Sequence, residues 1–243
     1  MSPLTTVLLL TSKFYAKNLI DVLVEKSPET AVIFVEHPNE ILQFGGEFLS
    51  GCRMISFGSR FYVKPEILDL ISYKSYNFHP GPTNYPGWAP FNFALYDKSP
   101  DFGVTLHEMT ADIDTGPIVG SKTFDIPAGC DVQRLMDLTT EAMYQLFDEL
   151  SLDIAKGELP LPSIDLKWSG HIWTKKDFEQ ICRLNLDLSK EELEKRLHAF
   201  GSSDGINLPH LVIDKSRYFV AEPDDDPTRT FFEFHGHRFI KMS

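Results

Sequence analysis

The chain has little cysteine and no long hydrophobic run. Its three cysteines, Cys52, Cys130 and Cys182, are far apart and odd in number, which argues against a disulfide framework and against the closely spaced ligand pairs of a zinc site. No apolar stretch approaches the roughly 18 residues that identify a membrane-spanning helix. The apolar run TTVLLLTS near the N-terminus has no basic residue ahead of it, so it predicts a strand and not a signal peptide. These absences favour a reduced protein of the cytoplasm with no membrane partner.

Positive charge and the best-known site motifs are also scarce. The 23 Lys and Arg residues are outnumbered by 35 Asp and Glu residues, which gives a net charge of -12. Proteins that bind nucleic acid usually carry a basic stripe, so an acidic chain without a Lys/Arg cluster makes nucleic acid an unexpected partner. The chain has no GxGxxG after its first apolar run, no GxxxxGK[ST] and no GxSxG, and its eight histidines lack metal-site spacing. We therefore expect no dinucleotide fingerprint, P-loop, serine nucleophile elbow or metal centre.

Hydrophobic patterning predicts strands that alternate with amphipathic helices. Short apolar runs predict strands at TTVLLLTS, AVIFVEH, RMISFGS, SYNFHP, FGVTLHEM and IVGSKTFDI. Helical spacing predicts helices at KFYAKNLIDVLVEK, KPEILDLISY and APFNFALYDKS, and a long helix from about Val132 to Lys156. This order is typical of an α/β protein, and we expect a Rossmann-like doubly wound sheet that is mostly parallel.

The connection GELPLPSIDLKWSG is rich in Pro, Gly and Ser and indicates a change of unit. We therefore predict a main domain over 1–157 and a smaller α+β accessory region over 158–243. Capping boxes that begin at Thr174 and Ser189 predict two short helices in the accessory region. The closing segment TRTFFEFHGHRFIKM predicts a β-hairpin around a His-Gly turn, a ribbon suited to pair with a second copy of the chain in a homodimer.

The stretch YNFHPGPTNYPGWAP combines a restricted backbone with two functional side chains. Asn77 and His79 lie two residues apart at the end of a predicted strand, so both point to the same side of the sheet. Doubly wound sheets bind ligands at the carboxyl ends of their strands. An imidazole accepts a proton near neutral pH, and an amide NH₂ donates to an oxygen that gains negative charge, so the pair suits attack of an amine on a carbonyl carbon. The alternative is that both residues only shape a turn.

A second polar loop, MTADIDTGPIV, follows the next predicted strand. It contains Asp112 and Asp114 and is closed by Thr-Gly-Pro. A carboxylate in this loop would orient the imidazole and stabilise its protonated form. Asp and Gly-Pro are also ordinary loop residues, so a simple turn is again the alternative. Two such loops, at the ends of consecutive strands, favour a shared site.

Together the two motifs resemble those of the N10-formyltetrahydrofolate-dependent formyltransferase family. NFHPGP, followed about 35 positions after His79 by IDTGPIV, is similar to the Asn-x-His motif and the Asp-Thr-Gly loop of that family. The resemblance covers roughly residues 8–156 and implies the formyltransferase fold, with Asn77, His79 and Asp114 as catalytic residues. It also implies N10-formyltetrahydrofolate as co-substrate and chemistry without a metal. The folate-binding residues that it implies are Asp112, Ile113 and Asp114.

The sequence after the Asn-x-His motif resembles one branch of this family. Many relatives read Asn-x-His-Pro-Ser-Leu-Leu-Pro, whereas NFHPGPTNYPG is closer to the branch that formylates nucleotide-linked amino sugars. The resemblance therefore implies a dTDP-, UDP- or GDP-amino sugar as the substrate, a role in lipopolysaccharide O-antigen biosynthesis, and Tyr85 or Trp88 as an aromatic surface for the base. Two alternative substrates fit the sequence less well. Methionyl-tRNA is a polyanion and requires a basic surface, which this acidic chain lacks. Formyltransferases that act on glycinamide ribonucleotide end soon after the long helix, whereas this chain continues for about 80 residues. The alternative from another class is a binding protein that keeps the fold without catalysis.

Overall fold

The structure is a computed structural model of the 243-residue chain, and it describes residues 3–156, 160–201, 208–221 and 231–241. It divides into two compact units. The first comprises Met1–Gly87, Asp101–Asp125 and Asp137–Ile172, and the second comprises Trp88–Pro100, Ile126–Met136 and Trp173–Ser243. The predicted boundary between 157 and 158 lies outside the described residues, so the division into a main domain and an accessory region stays a prediction.

The first unit is built on a six-stranded sheet in the order β2-β1-β3-β4-β5-β6. Its strands are β1 (Thr6–Thr11), β2 (Ala31–Val35), β3 (Cys52–Phe57), β4 (Ser75–His79), β5 (Asp101–Glu108) and β6 (Ile118–Asp125). The β1·β2, β1·β3 and β3·β4 pairs are parallel, whereas β5 is antiparallel to both β4 and β6. Of these six strands β5 alone runs against the others, and the predicted α/β fold with a mostly parallel sheet is confirmed.

The helices of the described residues follow the predicted pattern closely. They are α1 (Lys13–Lys26), a 3₁₀ helix (Pro38–Gln43), α2 (Gly46–Leu49), α3 (Pro65–Leu68), α4 (Pro90–Tyr96), α5 (Val132–Lys156), α6 (Lys175–Cys182) and α7 (Lys190–Phe200). The differences are the 3₁₀ helix and α2, which the sequence did not predict, and α3, a single turn where KPEILDLISY predicts a longer helix. No helix in the part of the chain that the structure describes is long and apolar enough to cross a membrane.

Strand β1 shows why the apolar run folds as a central strand. Val7 and Leu9 point to one face and join a core with α1 and α5, whereas Leu8 and Leu10 point to the other face and join a second core. All four side chains are fully buried. A strand covered on both faces requires a continuous apolar run, which is the pattern that predicted a parallel sheet.

The second unit contains a five-stranded sheet in the order β10-β11-β9-β8-β7. Its strands are β7 (Arg183–Leu184), β8 (His210–Ile213), β9 (Ser216–Val220), β10 (Phe231–Phe234) and β11 (His237–Lys241). The predicted capping box at Thr174 is confirmed, because Thr174 Oγ1 accepts the Asp177 N–H at 3.2 Å and the Asp177 carboxylate accepts the Thr174 N–H at 2.8 Å. Ser189 caps the second helix, with its Oγ accepting the Glu192 N–H at 3.1 Å. The predicted hairpin is confirmed too: His235 and Gly236, both with positive φ, turn β10 into β11.

Candidate active site

Strand β4 sends its apolar and polar side chains to opposite faces of the sheet. Tyr76 and Phe78 belong to the hydrophobic core that packs against α1 and α5. Alternation along the strand therefore directs Asn77 and His79 to the other face. His79 is buried, whereas Asn77 is only half-buried. Asn77 thus keeps partial access to solvent beside a buried imidazole.

Strand β5 adds a second histidine that the sequence interpretation missed. The antiparallel register places His107 opposite Asn77 and Thr105 opposite His79. Both β5 residues are buried, and the Asn77 amide nitrogen lies 3.4 Å from His107 Nε2. The signal in the sequence was the alternation of FGVTLHEM, which puts Thr105 and His107 on one face. Recognising their partners requires the β4–β5 register, which the sequence does not display.

The Asp114 loop reaches this face by turning back over the sheet. Because β5 is antiparallel to β4, the carboxyl ends of these two consecutive strands lie at opposite ends of the sheet and not side by side. The loop is anchored where β5 ends: the Glu108 N–H donates to the Pro117 carbonyl at 2.9 Å, and the Met109 N–H donates to the Ser75 carbonyl at 2.7 Å. From there the chain carries Asp114 back to His79. The two motifs meet through the path of this loop.

Each residue of the Asp-Thr-Gly sequence has a defined structural task. Asp114 adopts the left-handed conformation, with φ of 48°. The Thr115 hydroxyl donates to the Asp112 carbonyl at 3.1 Å, and the Thr110 hydroxyl donates to the same oxygen at 3.0 Å. A Cβ on Gly116 would lie 1.9 Å from the Glu108 carbonyl oxygen, so only glycine fits. The loop is therefore shaped to present a buried Asp114.

The Asp114 carboxylate is the centre of the site. Its Oδ2 accepts the Gly87 N–H at 2.7 Å and lies 3.2 Å from His79 Nδ1. Its Oδ1 lies 3.2 Å from His107 Nε2. The carboxylate is only 6% exposed, and both imidazoles are 3% exposed. One buried carboxylate therefore contacts two buried histidines.

This environment favours an ionised Asp114 and a neutral His79. Burial lowers the pKa of His79, and although the charge of Asp114 opposes this effect, the pKa remains below its ordinary value. Burial by itself raises the pKa of Asp114, but the two histidines and the Gly87 N–H outweigh it and hold that pKa below its usual range. At pH 7 His79 is thus an unprotonated imidazole, the state that a general base requires.

The surroundings of His79 are also prepared for its protonated form. Its Nε2 lies 2.9 Å from the Tyr85 carbonyl oxygen, and its Nδ1 faces the Asp114 carboxylate. Both neighbours are hydrogen-bond acceptors, and an imidazolium has a donor for each of them. A proton taken up by His79 is therefore accommodated without rearrangement of the site.

The remaining residues proposed from the sequence have different positions. Asp112 and Ile113 are exposed at the outer side of the loop, and the Ile113 side chain is 53% exposed. The Tyr85 ring is buried and packs 6.3 Å from the ring of Phe102. Trp88 belongs to the second unit, and its side chain is 47% exposed. Both substrate assignments stay predictions.

Trp168 is a further residue of the site that sequence reasoning did not find. Its ring lies edge-on to both imidazoles, with centroids 5.7 Å from His79 and 5.1 Å from His107. Its indole N–H donates to the Gly116 carbonyl at 2.9 Å. A lone Trp in a Pro-rich connection carries no local signal for this contact. Trp168 shields the histidines and ties this segment to the Asp114 loop.

The arrangement combines a buried base with an accessible hydrogen-bond donor. A neutral His79 accepts a proton, Asp114 stabilises the resulting charge, and the Asn77 NH₂ donates to an oxygen that becomes negative. Within the described residues, no group of three or more His, Cys, Asp or Glu side chains is arranged to hold a metal ion. This geometry suits transfer of an acyl-type group to an amine.

Comparison with known proteins connects this geometry to a fold. No protein-family model matches the chain. The chain is 34% identical over 116 residues to the dTDP-4-amino-4,6-dideoxyglucose formyltransferase of Mycobacterium tuberculosis, a match that covers 46% of this chain and 47% of the relative. It thus spans about half the length of the curated relatives that it matches.

Several solved structures cover nearly the whole chain, and two of them illustrate the likeness. A 4-N formyltransferase from Francisella tularensis has a TM-score of 0.69 at 18% identity, covering 99% of this chain and 98% of that one. The N-formyltransferase of Helicobacter canadensis, solved with folinic acid and dTDP-3-aminofucose, has a TM-score of 0.59 at 15% identity, covering 98% of each chain. The chain has the sugar N-formyltransferase fold. The formyltransferase fold that the resemblance implied is confirmed.

Proposed function

We propose that this chain is an N-formyltransferase that moves a formyl group from N10-formyltetrahydrofolate to the amine of a dTDP-linked amino sugar. The observation that carries the proposal is the buried His79–Asp114 pair, 3.2 Å apart, on the same sheet face as the half-buried Asn77 amide. These are the groups that the Asn-x-His and Asp-Thr-Gly motifs assign to catalysis.

The proposed reaction uses each group for one task. The amine nitrogen of the sugar forms a bond to the formyl carbon, and the carbonyl electrons move to oxygen. Asn77 donates to that oxyanion, and His79 takes the proton that the amine nitrogen loses. As the tetrahedral centre collapses, its bond to N10 breaks and His79 returns the proton to N10 of the folate. Asp114 stabilises His79 while it carries the charge.

The folate and sugar assignments are supported by the relatives. The Helicobacter canadensis structure holds folinic acid and dTDP-3-aminofucose, and the Mycobacterium tuberculosis relative is named for a dTDP-4-amino sugar. We propose that the loop residues Asp112, Ile113 and Asp114 contact the folate and that Trp88 or Tyr85 meets the nucleotide or sugar. The relative with 34% identity and the Francisella tularensis 4-N formyltransferase favour an amine at C4.

The test is a substrate panel assayed by mass spectrometry. Purified protein and N10-formyltetrahydrofolate are incubated with dTDP-linked 3-amino and 4-amino sugars, their UDP and GDP counterparts, glycinamide ribonucleotide and initiator methionyl-tRNA. We expect a gain of one formyl group on a dTDP-4-amino sugar, and none with a folded His79→Gln variant. Formylation of the tRNA alone, or of the ribonucleotide alone, would overturn the assignment of a dTDP-linked amino sugar as the substrate. A panel that stays unmodified would support a binding protein that keeps the fold.

Self-association is a separate part of the proposal. The strand β10 lies at one edge of the five-stranded sheet, and its Phe231 side chain is 41% exposed. An edge strand of this kind pairs readily with a second copy. We expect light scattering to give twice the mass of the chain at micromolar concentration. A monomer across the accessible concentration range would defeat the homodimer.

A further inference from the structure

The site contains one titratable group for which the proposed reaction has no task. His107 is 3% exposed, its Nδ1 lies 2.9 Å from the Glu108 carbonyl oxygen, and its Nε2 lies 3.2 Å from Asp114 Oδ1. Its Nε2 is also 3.4 Å from the Asn77 amide nitrogen. The same carboxylate that supports His79 is therefore divided between two imidazoles. A general base that is assisted by a carboxylate does not require a second imidazole on that carboxylate.

We propose that His107 is a positioning residue that shares the Asp114 carboxylate with His79 and thereby keeps His79 neutral and ready to accept a proton. This role rests on the proposed function, in which His79 takes the proton of the attacking amine. His107 touches neither the amine nor the formyl group in this scheme. It acts through Asp114.

The groups around the carboxylate define the electrostatics of this sharing. Strand β4 contributes His79 and the neutral Asn77 amide, strand β5 contributes His107, and the loop contributes Asp114. Trp168 covers both rings without charge. The other nearby ionisable side chain of β5, Glu108, is engaged with Lys74 at 3.0 Å. The cluster thus holds a single carboxylate against two imidazoles.

His107 disfavours protonation of His79 whether His107 itself is protonated or neutral. A protonated His107 repels a second positive charge on His79. A neutral His107 still contacts one oxygen of the Asp114 carboxylate, so that oxygen is less available to stabilise a protonated His79. The pKa of His79 is lowered first by burial and further by His107, with Asp114 opposing both. Removing His107 therefore leaves the whole carboxylate to His79 and favours its protonated form.

The competing explanation is a purely structural histidine. In that case His107 fills space beneath Trp168, and its replacement would change stability without changing the proton affinity of His79. The two explanations differ in a quantity that can be measured on the resting protein. No substrate is needed for that measurement, so it remains informative if the proposed function fails.

The experiment is a pH titration of the histidine ring signals by NMR in the full chain. His79 is assigned from the signals lost in His79→Gln, and titrations are compared for wild type, His107→Leu and His107→Gln. We expect the His79 midpoint to rise by about one pH unit in His107→Leu, the size of a single close charge interaction, and by less in His107→Gln, which keeps an N–H donor for Asp114. His198→Gln, which removes an exposed histidine of α7, should leave it unchanged.

The kinetic counterpart is the acid side of the kcat/KM profile, which reports the pKa of the base in the free protein, the same state that the NMR titration follows. A base that holds its proton more tightly is inactive up to a higher pH, so this limb should move to higher pH in His107→Leu by the same amount as the His79 midpoint, with folate KM unchanged. A His79 midpoint identical in wild type and both folded variants would overturn the proposal. A raised midpoint without any formyl transfer would overturn the proposed function instead. If His107→Leu does not fold, the comparison rests on His107→Gln.

Discussion

His79 is the residue on which the proposed chemistry depends, and its environment combines two opposing effects. Burial disfavours the imidazolium and lowers its pKa. The Tyr85 carbonyl at 2.9 Å and the Asp114 carboxylate at 3.2 Å nevertheless provide an acceptor for each ring N–H once a proton arrives. The resting imidazole is therefore a free base, and its protonated form is already solvated by the protein. Such a group is suited to take and return a proton within one turnover.

Replacement of His79 removes this base. We expect His79→Gln to lower kcat by about 10² or more, the usual contribution of a positioned acid–base residue, with little change in folate KM. Because the pKa of His79 is lowered, wild-type kcat/KM, which reports the free protein, should hold as the pH falls to about 6.5, the ordinary histidine range, and decline below it. Steady-state kinetics across pH would measure both effects, with His198→Gln as the control. A folded His79→Gln enzyme with wild-type turnover would remove His79 from the mechanism.

Asn77 is predicted to act on charge that exists only in the transition state. Its amide is half-buried on the same sheet face as His79. Loss of one oxyanion donor typically lowers kcat by about 10²–10³, and Asn77→Ala should show that loss with folate KM nearly unchanged. Single-turnover assays would separate the chemical step from binding. A raised KM with an unchanged single-turnover rate would reassign Asn77 to binding.

At the scale of elements, the sequence predicts the strands better than their directions. The apolar runs give all six strands of the first sheet, because burial on two faces leaves a visible pattern. The alternation of FGVTLHEM gives a strand but says nothing of its antiparallel direction, which is set by neighbours far along the chain. His107 and Trp168 were missed for this reason: one depends on the β4–β5 register and the other on a contact 52 positions away in sequence, at Gly116.

The Asp114 loop offers an element-scale test of how the Asp114 carboxylate is placed. A Cβ at Gly116 would lie 1.9 Å from the Glu108 carbonyl oxygen, a backbone atom that cannot move aside alone. We expect Gly116→Ala to lower stability by about 1–3 kcal/mol and to displace Asp114, so that kcat falls even in the folded fraction. Urea unfolding and kinetics would measure the two effects. Gly46→Ala, where a Cβ meets nothing within 4 Å, is the matched control and should be nearly neutral.

At the scale of the whole molecule, the same buried cluster couples the site to folding stability. Each unit by which a pKa differs between the folded and unfolded chain is worth about 1.4 kcal/mol. The pKa values of His79 and Asp114 are both lowered by folding, so each contributes stability above its unfolded pKa and loses it as the pH falls toward its folded pKa. For His79 the loss begins below about 6.5, and for Asp114 it begins below about 3.9.

These signs predict that acid destabilises the protein first through the candidate active site. Below about pH 6.5 the unfolded chain binds a proton at His79 that the folded chain resists, so the free energy of unfolding should fall. In His79→Gln this contribution is absent, and the decline between pH 7.5 and 5 should be shallower. Urea midpoints measured across that range would show the difference, with His198→Gln following the wild type. Parallel curves for wild type and His79→Gln would mean that the buried imidazole does not resist protonation, and the proposed state of the base would be wrong with it.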